Sequence, residues 1–407
     1  MAFADSLVCR ECSRRYELGA LYFCDFCFGP LEVSYDTEAI AGTVSREKIA
    51  AGPPTLWRYA DMLPVERTSA TDLGAGLTPL VRADRLAAEL GLGELWIKND
   101  TLNPTNSFKD RPVTVAVAKA LEFGLKTVAC ASTGNLANAV AAHAARAGLA
   151  SYVFVPYDIE PSKIVATAAL GTVVKVDGNY DDVNRLCAQL NDDYDWGIVN
   201  VNLRPYYAEG SKTIAFETAE QLGWELPDHV VVPIASGALL TKVAKGFREL
   251  AEVGLVEGGK TVRVSGAQAE GCSPVATAFA EGSDDVRPQK PDTIAKSLAI
   301  GDPADGFYSL AEVRASGGAV TAVSDAETID AIRLLARTEG IFTEPAGGVT
   351  IASLAKLAQG GRITKSERVV AYITGHGLKT PEVVPPGELP VIPATIAGFQ
   401  DTYETKE

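Results

Sequence analysis

From about residue 94 the chain alternates short β-branched runs with alanine-rich stretches of helical period. ELWIKND, KTVACA, SYVFVP, TVVKVDG and GIVNVN read as strands. Between them RPVTVAVAKALEFG, NLANAVAAHAARAG, PSKIVATAALG and DDVNRLCAQLNDD read as helices. Near-continuous apolar strands joined by helices are the pattern of parallel sheets covered on both faces. A second series follows: GSKTIAFETAEQLG, HVVVPI, GALLTKVAKGFRELAEVG, TVRVSGAQ, helices around 325 to 339 and 346 to 358, and the strand RVVAYIT. Two such series predict an α/β protein of two domains with a cleft between them, the usual place for a ligand. Its chemistry then belongs to the loops where a strand ends and a helix begins, whose backbone N–H groups face one crevice.

Composition narrows the function. With 407 residues, 47% of them hydrophobic, the chain can build two or three compact units. Its 37 basic and 52 acidic side chains leave a net charge of −15, which argues against nucleic-acid binding. No apolar run reaches the roughly 18 residues of a membrane span, and the start MAFADSLVCRECSRRYE lacks a signal-peptide core, so a cytoplasmic protein without a membrane partner is expected. AGPPTLWRYADMLP, at 51 to 64, carries turn signals and reads as an extended linking segment over a domain surface.

Four of seven cysteines fall in the first 27 residues, as Cys9-x-x-Cys12 and Cys24-x-x-Cys27. Two such knuckles can wrap four thiolates round one tetrahedral ion, giving a closed structural Zn2+ site; the alternative is a pair of knuckles with reduced, unmetallated thiols. Cys130, Cys187 and Cys272 read as buried small hydrophobes.

Four loops carry candidate chemistry. Ala131-Ser132-Thr133-Gly134-Asn135 opens a helix with small hydroxyl residues, suited to a carboxylate or to plain helix capping. Pro233 to Leu240, PIASGALL, allows close backbone approach to a phosphate, though it lacks the spacing of a Walker loop or a dinucleotide fingerprint. Thr374-Gly375-His376-Gly377-Leu378-Lys379 sets a hydroxyl on a glycine turn, with His376 read as structural. NPTNSFKDRP, 103 to 112, sets Lys109 where a turn-rich loop meets a helix. A lysine so placed is solvated by default, but a desolvated one forms Schiff bases with aldehydes. An unusual lysine, a carboxylate loop, a phosphate loop and a late hydroxyl are together the parts of a pyridoxal-phosphate site.

SFKD at 107 to 110, STGN at 132 to 135, SGALL at 236 to 240, EGIFTEPAGG at 339 to 348 and TGHGLK at 374 to 379 resemble the β-family, or fold type II, of pyridoxal-phosphate enzymes. Within it the chain is similar to the threonine synthase family, some members of which carry a four-cysteine leader like this one ending in CFGPLEVSYD. The resemblance implies a fold type II architecture of parallel-rich sheets flanked by helices, with a zinc-ribbon-like leader at 1–36. A small inner domain at 106–204 would then sit between the large domain's parts, 37–105 and 205–407. It implies that Lys109 anchors the cofactor and moves protons on the substrate, and that Asn135 meets the cofactor's phenolic oxygen. Ser132 and Thr133 would receive the substrate carboxylate, and the backbone of Ala235, Ser236, Gly237, Ala238 and Leu239 the cofactor phosphate. Thr374 would meet the pyridine nitrogen with a neutral hydroxyl, which suits elimination and replacement chemistry.

The reaction implied turns O-phospho-L-homoserine and water into L-threonine and phosphate, in an enzyme that is usually a homodimer. The sequence departs from the family where the substrate phosphate should be read: LRPYYAEGSKT has Tyr207 where an arginine commonly falls. Arg204, Lys212 and Arg111 are the candidate receivers, each equally readable as a salt-bridge partner. The departure keeps cysteate synthase (phosphoserine plus sulfite) open, and threonine or serine deaminase is a further relative. From another class, a pyridoxal-phosphate- or zinc-binding regulatory protein is the alternative, against which the intact Lys109 argues.

Overall fold

The computed structural model describes residues 3–66, 71–178 and 180–403 and contains three sheets. In the leader β1 (Ala4–Cys9) pairs antiparallel with β2 (Arg15–Tyr16) and β3 (Leu31–Tyr35). Next come β4 (Leu80–Arg82) and β5 (Glu94–Asn99), which pair antiparallel. The chain then leaves to form a separate parallel sheet from β6 (Thr127–Ala131), β7 (Ala150–Pro156), β8 (Thr172–Val176) and β9 (Gly197–Ile198), in the order β8-β7-β6-β9. It returns with β10 (His229–Pro233), β11 (Arg263–Ala269), β12 (Val320–Val323) and β13 (Arg368–Ile373). These join the first two as one six-stranded sheet, β12-β11-β10-β13-β5-β4, in which only the β4–β5 pair is antiparallel.

The continuous apolar runs explain this sheet, because successive side chains point to opposite faces and both faces are covered. Val230, Val232, Val370 and Tyr372 enter one core with Ile214 and Phe216 of the helix Thr213–Gln221. Their neighbours Val231, Val369 and Ala371 enter the other, with Val349 and Leu354 of the helix Pro345–Gln359. Each such side chain is worth about 1.5–3 kcal/mol on burial, so a one-residue slip of register is strongly opposed. A third core joins Leu7, Cys9, Leu31 and Val33 of the leader to Val113 and Val117 of the helix Asp110–Glu122.

Two expectations are corrected. The segment at 51 to 64 is no surface link: Leu56–Met62 forms a 3-10 helix capped by Thr55. Leu56, Trp57 and Ala60 are buried against Val115 and Ala118 of the helix Asp110–Glu122. The prolines flank the helix, and the apolar side chains between them decide where it lies. GIVNVN is strand only at Gly197–Ile198. There Asn202 accepts from Ile198 N at 2.7 Å and donates to Trp196 O at 2.8 Å, diverting the backbone into a turn. The helix Arg204–Gly210, not anticipated in LRPYYAEG, follows.

Candidate active site

β5, β13 and β10 are neighbouring parallel strands, so the loops after them leave the sheet at one edge. They are NPTNSFKD, TGHGLK and ASGALL, and a crevice at the carboxyl ends of such strands is where α/β sheets bind ligands. The first two are tied together. Phe108 N donates to Thr374 O at 2.8 Å and His376 N to Asn106 O at 3.0 Å, while Lys379 Nζ donates to Thr105 O at 2.7 Å. Lys109 occupies the position just before the helix Asp110–Glu122, and its Nζ lies 2.8 Å from the hydroxyl of Tyr207, on the helix Arg204–Gly210. Asp110, buried beside it, accepts from Thr105 and pairs with His143 Nε2 at 2.9 Å, fixing the start of the helix.

The third loop keeps its donors open. Gly237 has φ +95°, where a side chain is strained, and the helix Ala238–Glu252 that it starts has no side-chain cap. The loop's carbonyls are held from behind: Asp305 N donates to Ser236 O at 2.8 Å and Ser309 Oγ to Gly237 O at 3.1 Å.

The fourth loop, STGN, follows β6 of the other sheet. Gly134 precedes the helix Asn135–Ala147, which has no side-chain cap, so neither Ser132 nor Thr133 performs the ordinary capping role. Ser132 Oγ accepts from Gly134 N at 3.4 Å. Asn135 Nδ2 donates to Glu344 Oε1 at 2.9 Å and Oε2 at 3.1 Å, linking this loop to the large sheet's side of the site.

Glu344 is the residue that sequence reasoning missed. It directly precedes the helix Pro345–Gln359 within EGIFTEPAGG, is buried, and also accepts from Ser297 Oγ at 3.3 Å. Burial raises its carboxyl above the ordinary value, against the Asn135 and Ser297 bonds and the positive charges of Lys379 and Lys109. The acid before a proline-started helix was the available signal. Burial likewise lowers the Lys379 amine, opposed by Glu344 and Asp110.

Of the three candidate phosphate receivers two are closed off. Arg111 is fully buried and donates to Asp100 Oδ2 and Glu217 Oε1, both at 2.6 Å. Burial by itself would raise the Glu217 carboxyl, but Arg111 and Lys98 hold it at about 2. Lys212, equally buried, lies 2.6 Å from Glu209 Oε2 and 2.7 Å from Glu249 Oε2. Both charges belong to the core, where an ion stays only if paired. Arg204 remains partly exposed, donating to Asp305 Oδ2 at 2.6 Å, and with Tyr207 three residues on it shares a face of its helix. His376 is structural, its Nδ1 accepting from Leu378 N at 3.0 Å.

The four leader cysteines converge, with ligand atoms all within 4.8 Å of one another. Cys9 and Cys24 are buried and Cys12 and Cys27 exposed, while Cys130, Cys187 and Cys272 are buried elsewhere.

A family profile described as pyridoxal-phosphate dependent enzyme matches residues 71–375. The threonine synthase of Methanocaldococcus jannaschii is 40% identical over 378 residues, 92% of this chain and 93% of that protein. The threonine synthase of Methanosarcina acetivorans is 40% identical over 382 residues, 93% of each. Among solved structures, the processed form of threonine deaminase isoform 2 from Solanum lycopersicum has a TM-score of 0.62 at 24% identity, covering 75% of this chain and 82% of that one, a likeness of fold. No helix among the described residues is long and apolar enough to cross a membrane.

Proposed function

The chain belongs to the pyridoxal-phosphate-dependent enzymes and, within them, to the threonine synthases, and from that premise we propose that it converts O-phospho-L-homoserine and water into L-threonine and phosphate. The observation that carries the reading is the convergence of Lys109, Thr374 and an open phosphate loop at one sheet edge, with Asn135 tied across to them through Glu344.

The residues fit the cofactor. A Cβ at Gly237 would meet Ser309 Oγ at 2.4 Å and Asp305 O at 2.6 Å, so only glycine lets the loop lie as it does with its amides free for a phosphate. When bound, pyridoxal phosphate supplies an electron sink that makes the substrate's α hydrogen acidic. Lys109 would anchor it covalently and, once displaced by the substrate's amine, carry protons at the α and later carbons. Asn135, its amide oriented by Glu344, would donate to the phenolic oxygen, and Thr374 would offer a neutral hydroxyl to the ring nitrogen. Ser132 and Thr133 would receive the substrate carboxylate, beside a helix N-terminus that favours negative charge. Arg204 is our remaining choice for the substrate phosphate.

The test is phosphate release from O-phosphohomoserine with threonine as product, run beside phosphoserine plus sulfite. Threonine formation that disappears in Lys109→Ala, together with the visible absorption of bound cofactor, supports the reading; turnover by that variant sinks it.

We further propose a structural Zn2+ on Cys9, Cys12, Cys24 and Cys27, supported by their convergence and by a donor set that zinc favours. Purified protein without stoichiometric zinc and with four freely titratable leader thiols would refute it. The separate four-stranded sheet supports an inner domain at 106–204, within a large domain of 37–105 and 205–407, that closes on substrate; an unchanged scattering profile on ligand binding counts against closure. Biosynthetic relatives support a cytoplasmic enzyme, and exposed Leu389, Val391 and Ile396 support a homodimer, which light scattering tests.

A further inference from the structure

We propose that Arg10, inside the first cysteine knuckle, is a positioning residue for the loop that holds the cofactor phosphate, acting through Asp305. The inference rests on the reading of Ala235 to Leu239 as that loop. It gives the leader a task in the enzyme beyond its own fold.

The chain of contacts is continuous. In a planar peptide the carbonyl and the following N–H point in opposite directions. Pinning Ser236 O on Asp305 N and Gly237 O on Ser309 Oγ therefore turns the N–H groups of Gly237 and Ala238 away from the 305–309 segment, the direction from which a phosphate must approach. Contact here is close enough that a Cβ on Gly237 would strike Asp305 and Ser309, so a displacement of 305–309 is felt directly in the loop.

The leader is one of the two elements that hold 305–309, the helix Arg204–Gly210 being the other. The Asp305 side chain is only 8% exposed and is bonded by two arginines, Arg204 at 2.6 Å and Arg10 at 3.3 Å. A carboxylate so nearly buried needs its cations, and among the described residues Arg10 is one of the two paired with it. The same guanidinium lies 3.6 Å from the ring centroid of Tyr308, whose hydroxyl donates to the Glu11 carboxylate. Arg10 and Glu11 lie between Cys9 and Cys12, and Arg10 N donates to Pro30 O at 3.0 Å, so the knuckle presents both side chains from a fixed backbone. The grip thus runs from knuckle to Asp305 and Tyr308, and from there to Ser236 and Gly237.

The experiment uses the full-length holoenzyme as wild type, Arg10→Ala, Arg10→Lys and Asp305→Asn. Cofactor affinity is read from the absorbance of bound pyridoxal phosphate during titration of dialysed protein, and leader integrity from the reactivity of its thiols. Arg10→Ala is expected to weaken cofactor binding about tenfold, as the loss of a charge-assisted contact implies, with leader thiols as protected as in wild type. Arg10→Lys, which keeps the charge but not the planar fork, recovers part of the loss, and turnover at saturating cofactor stays near that of wild type. Asp305→Asn keeps the backbone bond to Ser236, loses the charge, and weakens binding in the same way. Wild-type affinity in Arg10→Ala or in Asp305→Asn overturns the positioning role alone. A wild-type protein that takes up no pyridoxal phosphate overturns the functional reading, and this inference with it.

Discussion

Tyr207 and Lys109, 98 residues apart, meet with the tyrosine hydroxyl 2.8 Å from Nζ. The tyrosine's helix packs closely on the helix that Lys109 opens: a Cβ at Gly210 would lie 2.4 Å from Arg111 O. Close packing of the two helices brings the tyrosine ring within reach of the lysine amine.

Removing that hydroxyl alone tests its share in the chemistry. Tyr207→Phe keeps the ring in its nearly buried place, so the urea midpoint should stay close to that of wild type, while kcat falls roughly tenfold through loss of one bond at the amine proposed to react. Phosphate release under saturating substrate measures it, and an unchanged kcat would show that Lys109 needs no such partner.

Asn135 depends on Glu344 for its orientation. Glu344→Ala should lower kcat by about 10²-fold, the scale on which small misplacements act, and Glu344→Gln, which retains one acceptor, should lose less. The pH dependence has a definite sign. Because burial raises the carboxyl in the folded state, the native protein holds a proton that the unfolded chain has released, so stability falls as pH rises through that interval. Glu344→Gln lacks this penalty and should be more stable than wild type above it; urea midpoints measured against pH would reveal the crossover or its absence.

Arg111 should behave as a structural ion. Arg111→Met leaves Asp100 and Glu217 without their shared partner in a fully buried setting, and a loss of about 3–5 kcal/mol in urea unfolding is expected. A variant of wild-type stability with a raised KM for the phosphate substrate would restore it as a substrate contact.

His229 sets a limit in acid. Burial first, and then the charge of Arg263, lower its imidazole to about 4, from an ordinary value near 6.5. The unfolded chain thus takes up the proton first, and the stability owed to a neutral His229 is lost as pH falls from about 6.5 to about 4, at most about 3 kcal/mol. His229→Gln should flatten the stability curve across that interval; identical slopes for variant and wild type would assign the acid sensitivity elsewhere.

Much of the fold was legible because its signals are local. A run such as HVVVPI becomes β10 with every residue from His229 to Pro233 buried, since a strand covered on both faces has no polar side to show. The loops bearing Lys109, Asn135, Gly237 and Thr374 were legible for a related reason: glycine, hydroxyl and amide residues at strand-to-helix junctions mark where backbone donors are exposed. The segment at 51 to 64 misled because its prolines report a turn and say nothing of the core against which Trp57 and Leu56 pack.

The site's second layer lay beyond such reading. Arg111, Lys212 and Arg204 are cations near the same loops in sequence, yet two are neutralised by carboxylates in the core and one leans on Asp305. Local sequence determined most of the strands and helices, the strand-to-helix loops and the paired cysteine knuckles, because each depends on propensities and spacing within a few residues. Tertiary structure alone decided which charges are spent in the core, that Glu344 orients Asn135, that Tyr207 reaches Lys109 and that Arg10 supports Asp305. A side chain's partner depends on which distant segments pack together, and no spacing along the chain encodes that directly.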